Sequence, residues 1–157
     1  MKKAENAEGL KALIIRGDGD HFASGADISE FETLYATRET AKAISDYIAA
    51  GFKSIAEFPL PTIAMIRGAC VGGGCGLALC CDFRFADHTA KFAITPAKLG
   101  LVYPFSDVQR LIETVGIPNA KDILMSARLI KTKRAEKMAL VNKLFKTDEL
   151  EKSVLAS

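Results

Sequence analysis

Three consecutive glycines, Gly72–Gly74, lie where an apolar segment gives way to a run of small and apolar residues. The segment before them, Thr62–Arg67, is predicted to be a buried strand, and the segment after them is predicted to begin a helix. Such a helix begins with backbone N–H groups that have no intrahelical partner, at the positive end of the helix dipole. These glycines are therefore expected to face an anion or a developing oxyanion.

The glycines have a second interpretation, which is close packing of the helix on the strand. They do not match the P-loop, because no Gly-Lys-Ser or Gly-Lys-Thr follows, and they do not match the dinucleotide-binding pattern at the required spacing. Taken alone, the glycine run therefore leaves both interpretations open.

Two further groups of residues have chemistry to consider. The cysteines, Cys70, Cys75, Cys80 and Cys81, all fall in the same apolar segment, whereas the only histidines, His21 and His88, lie elsewhere. Because a metal site needs histidine or carboxylate ligands at short spacing, we expect buried reduced thiols and no metal site.

A carboxylate, Asp27, lies in the loop that precedes a predicted helix. Asp27 and Glu30 have the spacing of a capping box, so the structural interpretation of Asp27 is a helix cap.

The composition restricts the possible functions. The chain has 157 residues, of which 49% are hydrophobic and 25% are charged, enough for one packed domain. A net charge of +2 without a basic cluster gives no case for binding nucleic acid or an acidic membrane surface. No apolar run approaches the roughly 20 residues of a membrane span, and no signal-peptide pattern is present. We therefore expect a cytoplasmic protein.

The hydrophobic pattern predicts an α/β layer structure with parallel strand pairing. Strands are predicted at Lys11–Arg16, Thr62–Arg67, Asp82–Ala86 and Ala90–Ile94, with Phe83, Phe85 and Phe92 in the core. Helices are predicted at about 40–58, with Ile44, Tyr47, Ile48, Phe52, Ile55 and Phe58 on one face, at 107–115 after an Asp107 N-cap, at 119–127, at 133–140, and after Thr147 or Asp148. The segment Thr95–Pro104 is predicted to be an irregular loop, because it contains two prolines and a glycine.

Two loops together resemble the crotonase superfamily, the enoyl-CoA hydratases and isomerases. They are Phe22–Ile28 and Gly68–Ala78, the latter followed by Cys81–Asp82. Further similarity is found in Ala90–Phe92, Lys98–Leu101, Gln109–Leu111 and Lys137–Asn142. The resemblance implies a crotonase-like fold, a spiral of ββα units with C-terminal helices, in one domain over residues 1–157. Residues 1–105 would form the acyl-CoA-binding α/β core, and residues 106–157 a helical C-terminal part.

The resemblance also implies a site. In that family two backbone N–H groups hold the thioester carbonyl of an acyl-CoA and stabilise its enolate; by position they belong to Ala26 and Gly73. The acyl-CoA-binding residues implied are Ala23, Ser24, Gly25, Ala26, Asp27, Ile28, Gly72 and Gly73. Coenzyme A enters as part of the substrate, so neither a separate cofactor nor a metal is implied. The implied protein is an enoyl-CoA hydratase/isomerase-family lyase of fatty acid metabolism, assembled as a homotrimer or a dimer of trimers.

The chain departs from the family at two positions. Hydratases of the family use two glutamates to handle the protons of water, and here those positions hold Gly76 and Pro96. Because neither residue can transfer a proton, hydration by paired glutamates is not expected to operate in its usual form.

Other candidates near that pocket are Thr95, Tyr103, Ser106 and Asp107. The run Thr95–Tyr103 is similar to methylmalonyl-CoA decarboxylases of the same superfamily, in which a tyrosine lies by the departing carboxylate. Tyr103 is therefore a candidate catalytic residue, with a core residue as the alternative. The activities left open are an enolate-forming lyase, a decarboxylase and a non-catalytic acyl-CoA-binding or assembly protein.

The resemblance begins inside the family pattern, at what corresponds to the end of the relatives' first helix. It also ends before the further helices with which the relatives finish. We therefore expect a chain truncated at both ends relative to the family, with a fold incomplete at its N-terminus and an exposed sheet edge beside the first strand that is prone to association.

Overall fold

The computed structural model describes residues 8–156, and the side chains of Ile28 and Phe31 lie outside the described part. The described strands are β1 Leu13–Arg16, β2 Thr62–Ile66, β3 Ala69–Val71, β4 Phe83–Asp87, β5 Lys91–Ala93, β6 Ile130–Lys131 and β7 Lys143–Phe145. The described helices are α1 Phe31–Leu34, α2 Arg38–Ala56, α3 Gly73–Leu79, α4 Phe105–Ser126, α5 Thr132–Lys137 and α6 Leu150–Leu155. Two short 3-10 helices cover Ile28–Glu30 and Pro96–Leu99.

The strands form two sheets, and the chain passes from one to the other in a repeating order. The first sheet has the order β1-β2-β4-β7 and is parallel throughout. The second has the order β3-β5-β6, with β3 and β5 parallel and β5 and β6 antiparallel. Strands β2 and β4 belong to the first sheet while β3 and β5 belong to the second, so successive strands alternate between the two sheets. Within residues 8–156, β1 pairs only with β2, so it lies at a sheet edge.

The sequence of strand β2 is a continuous apolar run, and the burial of both its faces explains why. All five of its residues are buried. Ala64 and Ile66 belong to the main core, whereas Ile63 and Met65 pack on the opposite face with Leu150 and Val154 of α6. A parallel strand covered on both faces has no polar side, which is why its pattern does not alternate.

Helix α2 is positioned by a cap at its start and by partial burial along its length. Thr37 and Thr40 form a reciprocal capping box, with Thr37 Oγ1 accepting the N–H of Thr40 at 3.2 Å. Ile55 is buried in the core and Phe52 packs against it, but Tyr47 is 79% exposed. Ile48, another member of the predicted apolar face, is 39% exposed. That face is therefore buried only in part, and Tyr47 does not belong to it.

Helix α4 contains the two helices predicted at 107–115 and 119–127. They meet at Gly116, whose backbone is not helical (φ 75°, ψ 160°). Proline at position 118 fits this kink, because it begins the second half, where its missing N–H costs little. Among the described helices, none combines the length and the apolar character needed to cross a membrane.

Several local predictions were wrong. The chain does not run straight from β2 into the glycines, because the short strand β3 lies between them in the other sheet. The segment 95–104 contains a 3-10 turn, Pro96–Leu99, which the prolines permit because proline fits the first turn of a helix. The helical C-terminal part also contributes β6 and β7. Phe83 is 42% exposed and is not a core residue.

Both predicted caps after residue 100 were wrong as well. Helix α4 begins at Phe105 with Pro104 as its N-cap, so Asp107 lies inside the first turn. Helix α6 has Glu149 at its N-cap without a side-chain bond, because the carbonyl of Lys146 accepts the N–H of Leu150 instead.

Candidate functional site

The first component of the site is the start of helix α3. Strand β3 leads into Gly72, whose N–H donates to the carbonyl of Ala93 in the neighbouring strand β5 at 2.8 Å. The carbonyl of Gly72 accepts the N–H groups of Cys75 and Gly76, which closes the first turn of the helix. This anchoring leaves Gly73 as the first helical residue, and first-turn N–H groups have no partner within their own helix.

The second component is the loop at Ala23–Ala26, which runs beside β3. The N–H of Ala23 donates to Ala69, and the carbonyl of Ala23 accepts from Val71 at 2.9 Å. Gly25 follows with a positive φ of 91°, a conformation that favours glycine. A Cβ atom at Gly25 would lie 2.8 Å from the backbone nitrogen of Gly73, closer than real Cβ contacts allow. Glycine at this position therefore lets the loop touch the start of α3.

The two components converge at one point. A Cβ atom built on Gly73 would lie 3.4 Å from Cα of Gly25 and 4.0 Å from the nitrogen of Ala26. Among the hydrogen bonds of the described residues, none uses the N–H of Ala26 or of Gly73. Two backbone N–H groups from separate loops thus lie close together, without a hydrogen-bond partner among residues 8–156.

These donors lie at a cavity of about 420 Å³, which we call the glycine cavity. It is lined by Ala23, Ser24, Gly25, Ala26, Ile48, Phe52, Gly72, Gly73, Gly74, Leu77, Thr95 and Leu99. No residue in this lining has a titratable side chain. The described lining therefore offers backbone N–H groups, two hydroxyl groups and apolar walls, and within it no side chain could act as a general acid or base near neutral pH.

Most residues predicted to bind substrate lie together here. Ala23, Ser24, Gly25, Ala26, Gly72 and Gly73 all line the glycine cavity, as does Thr95. Asp27 is exposed next to the cavity and does not line it. The apolar wall from helix α2, Ile48 and Phe52, was not predicted as part of the site. Helical spacing placed both residues on one face of α2 but could not indicate which loops that face would meet.

The carboxylate of Asp27 has a structural role. Its Oδ1 atom accepts the backbone N–H of Ser29 at 2.9 Å and the hydroxyl of Ser29 at 2.7 Å. These bonds lower the pKa of Asp27, the side-chain bond contributing most. The carboxylate therefore opens the 3-10 turn Ile28–Glu30. A cap is confirmed here, with Ser29 rather than Glu30 as the residue that donates to the carboxylate.

Position 76, where the resemblance implies a glutamate, is filled by other side chains. A Cβ atom at Gly76 would lie 2.7 Å from Cε2 of Phe52 and 3.1 Å from the hydroxyl oxygen of Tyr103. A larger residue at this position would therefore have to displace the ring of Phe52. Pro96, at the other implied glutamate position, begins the 3-10 turn and its carbonyl accepts the N–H of Leu101.

Tyr103, Ser106 and Asp107 lie on a second cavity rather than on the glycine cavity. This tyrosine cavity has a volume of about 500 Å³. Its lining comprises Tyr35, Ser45, Asp46, Ile48, Ala49, Phe52, Val102, Tyr103, Pro104, Phe105, Ser106 and Asp107. Ile48 and Phe52 line both cavities.

Within the tyrosine cavity, the hydroxyl of Tyr103 is unusual. Tyr103 is only 8% exposed, and its hydroxyl has no hydrogen-bond partner within the part of the chain that the structure describes. Burial raises the pKa of Tyr103 well above its ordinary value, so the hydroxyl stays protonated and is a hydrogen-bond donor. Asp107 is also buried, and burial raises the pKa of its carboxyl, against the opposing effect of Arg110, whose Nη1 lies 3.2 Å from its Oδ1.

The four cysteines are buried free thiols, as predicted. The thiol of Cys75 donates to the carbonyl of Cys70 at 2.8 Å, and the two sulfur atoms lie 3.9 Å apart. Burial raises the pKa of Cys80 to about 11 and that of Cys81 to about 12. Because a thiol must ionise to act as a nucleophile, these cysteines are structural residues beneath the site.

Comparison with known proteins identifies what this arrangement is similar to. The sequence model of the enoyl-CoA hydratase/isomerase family matches residues 1–157. A crotonyl-CoA hydratase from Syntrophomonas wolfei is 39% identical over 145 residues, which are 90% of this chain and 54% of that protein.

Solved structures extend the likeness to the fold. An enoyl-CoA hydratase/isomerase family protein from Hyphomonas neptunium matches with a TM-score of 0.95 and 42% identity, over 99% of this chain and 60% of that one. An enoyl-CoA hydratase/carnithine racemase from Magnetospirillum magneticum matches with a TM-score of 0.94 and 33% identity, over 99% of this chain and 58% of that one. These matches confirm the predicted crotonase-like fold. The chain spans little more than half the length of these relatives.

Proposed function

The chain belongs to the enoyl-CoA hydratase/isomerase family, and on that premise we propose that it binds acyl-CoA thioesters and stabilises their enolates between Ala26 and Gly73. The observation that supports this proposal is the contact between the two loops, which leaves both N–H groups without a partner at the wall of an apolar cavity. A thioester carbonyl that accepted both donors would lie with its acyl group against that apolar wall.

The chemistry follows from where charge develops. When a base removes a proton from the carbon next to a thioester, or when a carboxylate on that carbon departs as carbon dioxide, the electron pair of the broken bond moves onto the carbonyl oxygen and forms an enolate. Two fixed donors bind that oxygen more strongly as its charge grows, which lowers the barrier by about 3 kcal/mol per donor in comparable sites. Ala26 and Gly73 supply such donors without a side chain, and the dipole of α3 adds to the effect at Gly73.

The absence of a titratable side chain from the described lining of the glycine cavity favours a second candidate within the same chemistry. Decarboxylation of a methylmalonyl-CoA type substrate breaks a carbon–carboxylate bond and delivers its electrons to the same oxygen, so it needs no general base. In this candidate Tyr103 would lie near the departing carboxylate. Its position on the tyrosine cavity requires that the carboxylate pass Phe52, and the role of Tyr103 stays a prediction.

The first experiment asks whether the protein is an enzyme. We expect the full-length protein to convert crotonyl-CoA or methylmalonyl-CoA, measured by loss of the enoyl absorbance and by release of carbon dioxide. Binding of both thioesters by calorimetry without conversion of either would instead indicate a non-catalytic acyl-CoA-binding protein, the third activity left open by the sequence.

The second experiment tests the two donors. Gly73→Pro removes one N–H, and we expect kcat/KM to fall by about 100-fold or more. The matched control is Arg38→Pro, which places proline at the same first helical position of α2, after a residue whose extended backbone accepts it. An unchanged rate in a folded Gly73→Pro variant would refute the assignment. Cytoplasmic location and a trimeric assembly stay predictions, to be checked by fractionation and light scattering.

A further inference from the structure

A further cavity, of about 490 Å³, lies at the carboxyl ends of parallel strands of the first sheet, and we call it the strand-end cavity. Among its lining residues, Arg67 directly follows β2, Asp87 is the last residue of β4, and Thr147 follows β7 by two residues. None of its lining residues lines the glycine cavity. In open α/β sheets, ligands bind in a crevice outside the carboxyl ends of the strands.

The carboxylate of Asp87 is the buried polar group of this cavity. Asp87 is 0% exposed, and its Oδ1 atom accepts the backbone N–H and the hydroxyl of Thr89 at 2.8 and 2.6 Å. Its Oδ2 atom is buried and has no hydrogen-bond partner among residues 8–156. Buried carboxylate oxygens are normally paired. The Oδ2 atom can therefore accept a hydrogen bond from a ligand in the cavity.

The backbone around this carboxylate is held by contacts between three segments. The Oγ1 atom of Thr89 accepts the N–H of Gly68 at 3.0 Å. A Cβ atom at Gly68, where φ is 53°, would lie 2.3 Å from the carbonyl oxygen of Asp20, so these two segments touch. The Nδ1 atom of His21 accepts the N–H of Ala69 at 3.1 Å. The lining is therefore positioned by hydrogen bonds and close packing rather than by one loop alone.

Four charged side chains line the strand-end cavity without pairing with one another. Asp20 and Asp87 are acidic, and Arg67 and Lys91 are basic. Within the part of the chain that the structure describes, none of the four takes part in an ion pair. A simple anion would leave the two carboxylates unpaired, and a simple cation would leave the two basic groups unpaired. A ligand that carries both charges can pair with both kinds of side chain.

We propose that the strand-end cavity binds a small zwitterion of the amino acid class, with its ammonium group at Asp87 and its carboxylate at Arg67 and Lys91. The ammonium group donates to Oδ2 of Asp87, and the guanidinium and the lysine ammonium donate to the ligand's carboxylate. This inference does not rest on the proposed acyl-CoA chemistry, because the two cavities have no lining residue in common.

The first measurement compares zwitterions with ligands that carry one charge. L-alanine, β-alanine and 4-aminobutyrate place the two charges at increasing separations, whereas butyrate and n-butylammonium carry one charge each. Each is titrated with the full-length protein at low salt, and binding is followed by the ligand's NMR signals. We expect at least one zwitterion to bind about tenfold or more tightly than both single-charge ligands, because it gains charge-assisted hydrogen bonds at both ends.

Two variants separate the two ends of the site. Asp87→Asn keeps an oxygen for Thr89 but removes the negative charge, so it should weaken the zwitterion about tenfold and leave butyrate unchanged or tighter. Lys91→Gln changes an exposed residue and should weaken the zwitterion and butyrate by about threefold or more, but not n-butylammonium. The matched controls are Glu136→Gln and Lys133→Gln, the same charge changes at exposed positions of α5, which should leave every affinity unchanged.

The outcomes that overturn the inference are distinct. One is a wild type that binds no zwitterion more tightly than butyrate and n-butylammonium, which includes a site for a cation alone. Another is an equal loss of affinity in Lys91→Gln and Lys133→Gln. If thermal melts show that Asp87→Asn does not fold, the wild-type comparison and Lys91→Gln still decide.

Discussion

Two glycines of helix α3, Gly73 and Gly76, lie within one turn of each other but in different surroundings. At Gly73 the backbone faces the glycine cavity, and a side chain atom there would keep a distance of 3.4 Å from its nearest neighbour, Gly25. At Gly76 the side of the helix is closed, because Phe52 would be 2.7 Å from any Cβ atom. Glycine at position 73 leaves a backbone N–H exposed at the cavity, whereas glycine at position 76 leaves room for the ring of Phe52. Two glycines three residues apart in one helix therefore have different structural reasons.

The largest expected effect, on kcat/KM, comes from a substitution at the start of α3, where Gly25 touches Gly73 beside the glycine cavity. Gly25→Ala would place its methyl group 2.8 Å from the nitrogen of Gly73, so the loop must move and the two donors must separate. We expect kcat/KM to fall by about 100-fold or more on whichever acyl-CoA the protein converts.

The control for Gly25→Ala is Gly19→Ala in the preceding loop, where no atom lies within 4 Å of the added methyl group. Thermal melts of both variants separate loss of the site from loss of the fold. If Gly25→Ala retains the wild-type rate, the pair of donors is not the active group.

At Gly76, where α3 packs against Phe52, the expected effect is on the free energy of unfolding. Gly76→Ala inserts a methyl group against the ring of Phe52, and overpacking of this kind costs about 1–3 kcal/mol of the free energy of unfolding, from which the roughly 0.5–1 kcal/mol that alanine gains over glycine within a helix is subtracted. Urea denaturation measures it. Gly51→Ala, in the open middle of α2, should instead raise stability by about 0.5–1 kcal/mol, because alanine favours the helix.

A double variant sharpens this assignment of Gly76. If Phe52 is the neighbour that clashes, Gly76→Ala should cost less in a Phe52→Leu background than in the wild type. Equal costs in the two backgrounds would mean that another contact limits position 76.

The variant Tyr103→Phe tests the contribution of the Tyr103 hydroxyl to stability. Because this hydroxyl is buried without a partner, its removal should leave the melting temperature unchanged or raise it, a gain of up to about 1 kcal/mol. A loss of more than about 1 kcal/mol would show that the hydroxyl has a stabilising partner in the protein.

The smallest expected effect concerns the pH dependence of stability near Tyr103. Burial raises the pKa of Asp107 above its ordinary value of 3.8, so the folded state holds this proton more firmly than the unfolded state does. The stability that this protonation contributes is present below pH 3.8 and is lost as pH rises through the raised pKa.

The measurement compares Asp107 with an exposed carboxylate. The free energy of unfolding of the wild type minus that of Asp107→Asn should therefore decrease as pH rises through this window. Urea denaturation as a function of pH gives the difference, with Asp18→Asn as the exposed control. A difference that increases with pH would contradict the assignment to burial.

The sequence predicted the two loops of the site better than the side chains that line its cavities. The residues of the Phe22–Ile28 loop and of the glycine run are local in sequence, and their resemblance to one superfamily predicts that Ala26 and Gly73 lie together, as they do at the glycine cavity. Strand β3 was missed because three residues are too few to show a periodicity. Asp107 was misplaced because the helix starts earlier, at Phe105.

The walls depend on contacts that no local pattern contains. Helical spacing marked Phe52 as apolar but did not show that it would stand over Gly76, and the sequence suggested Tyr103 as a neighbour of the thioester although it lines the other cavity. Such distances arise only when α2, α3 and the segment before α4 pack together. Their outcome depends on side-chain volumes summed over distant parts of the chain.

By itself, the sequence determined the family and the α/β order of elements, and it showed that positions 76 and 96 hold glycine and proline where the resemblance implies glutamate. Residue types and their short spacings are sufficient for these conclusions. Only the tertiary structure decided what lies beside position 76: the ring of Phe52 and the hydroxyl of Tyr103 meet where a side chain of residue 76 would begin. Because Phe52 and Tyr103 fill that space, a side chain at position 76 would overlap with them, and glycine avoids the overlap. The same packing separates the glycine cavity from the tyrosine cavity.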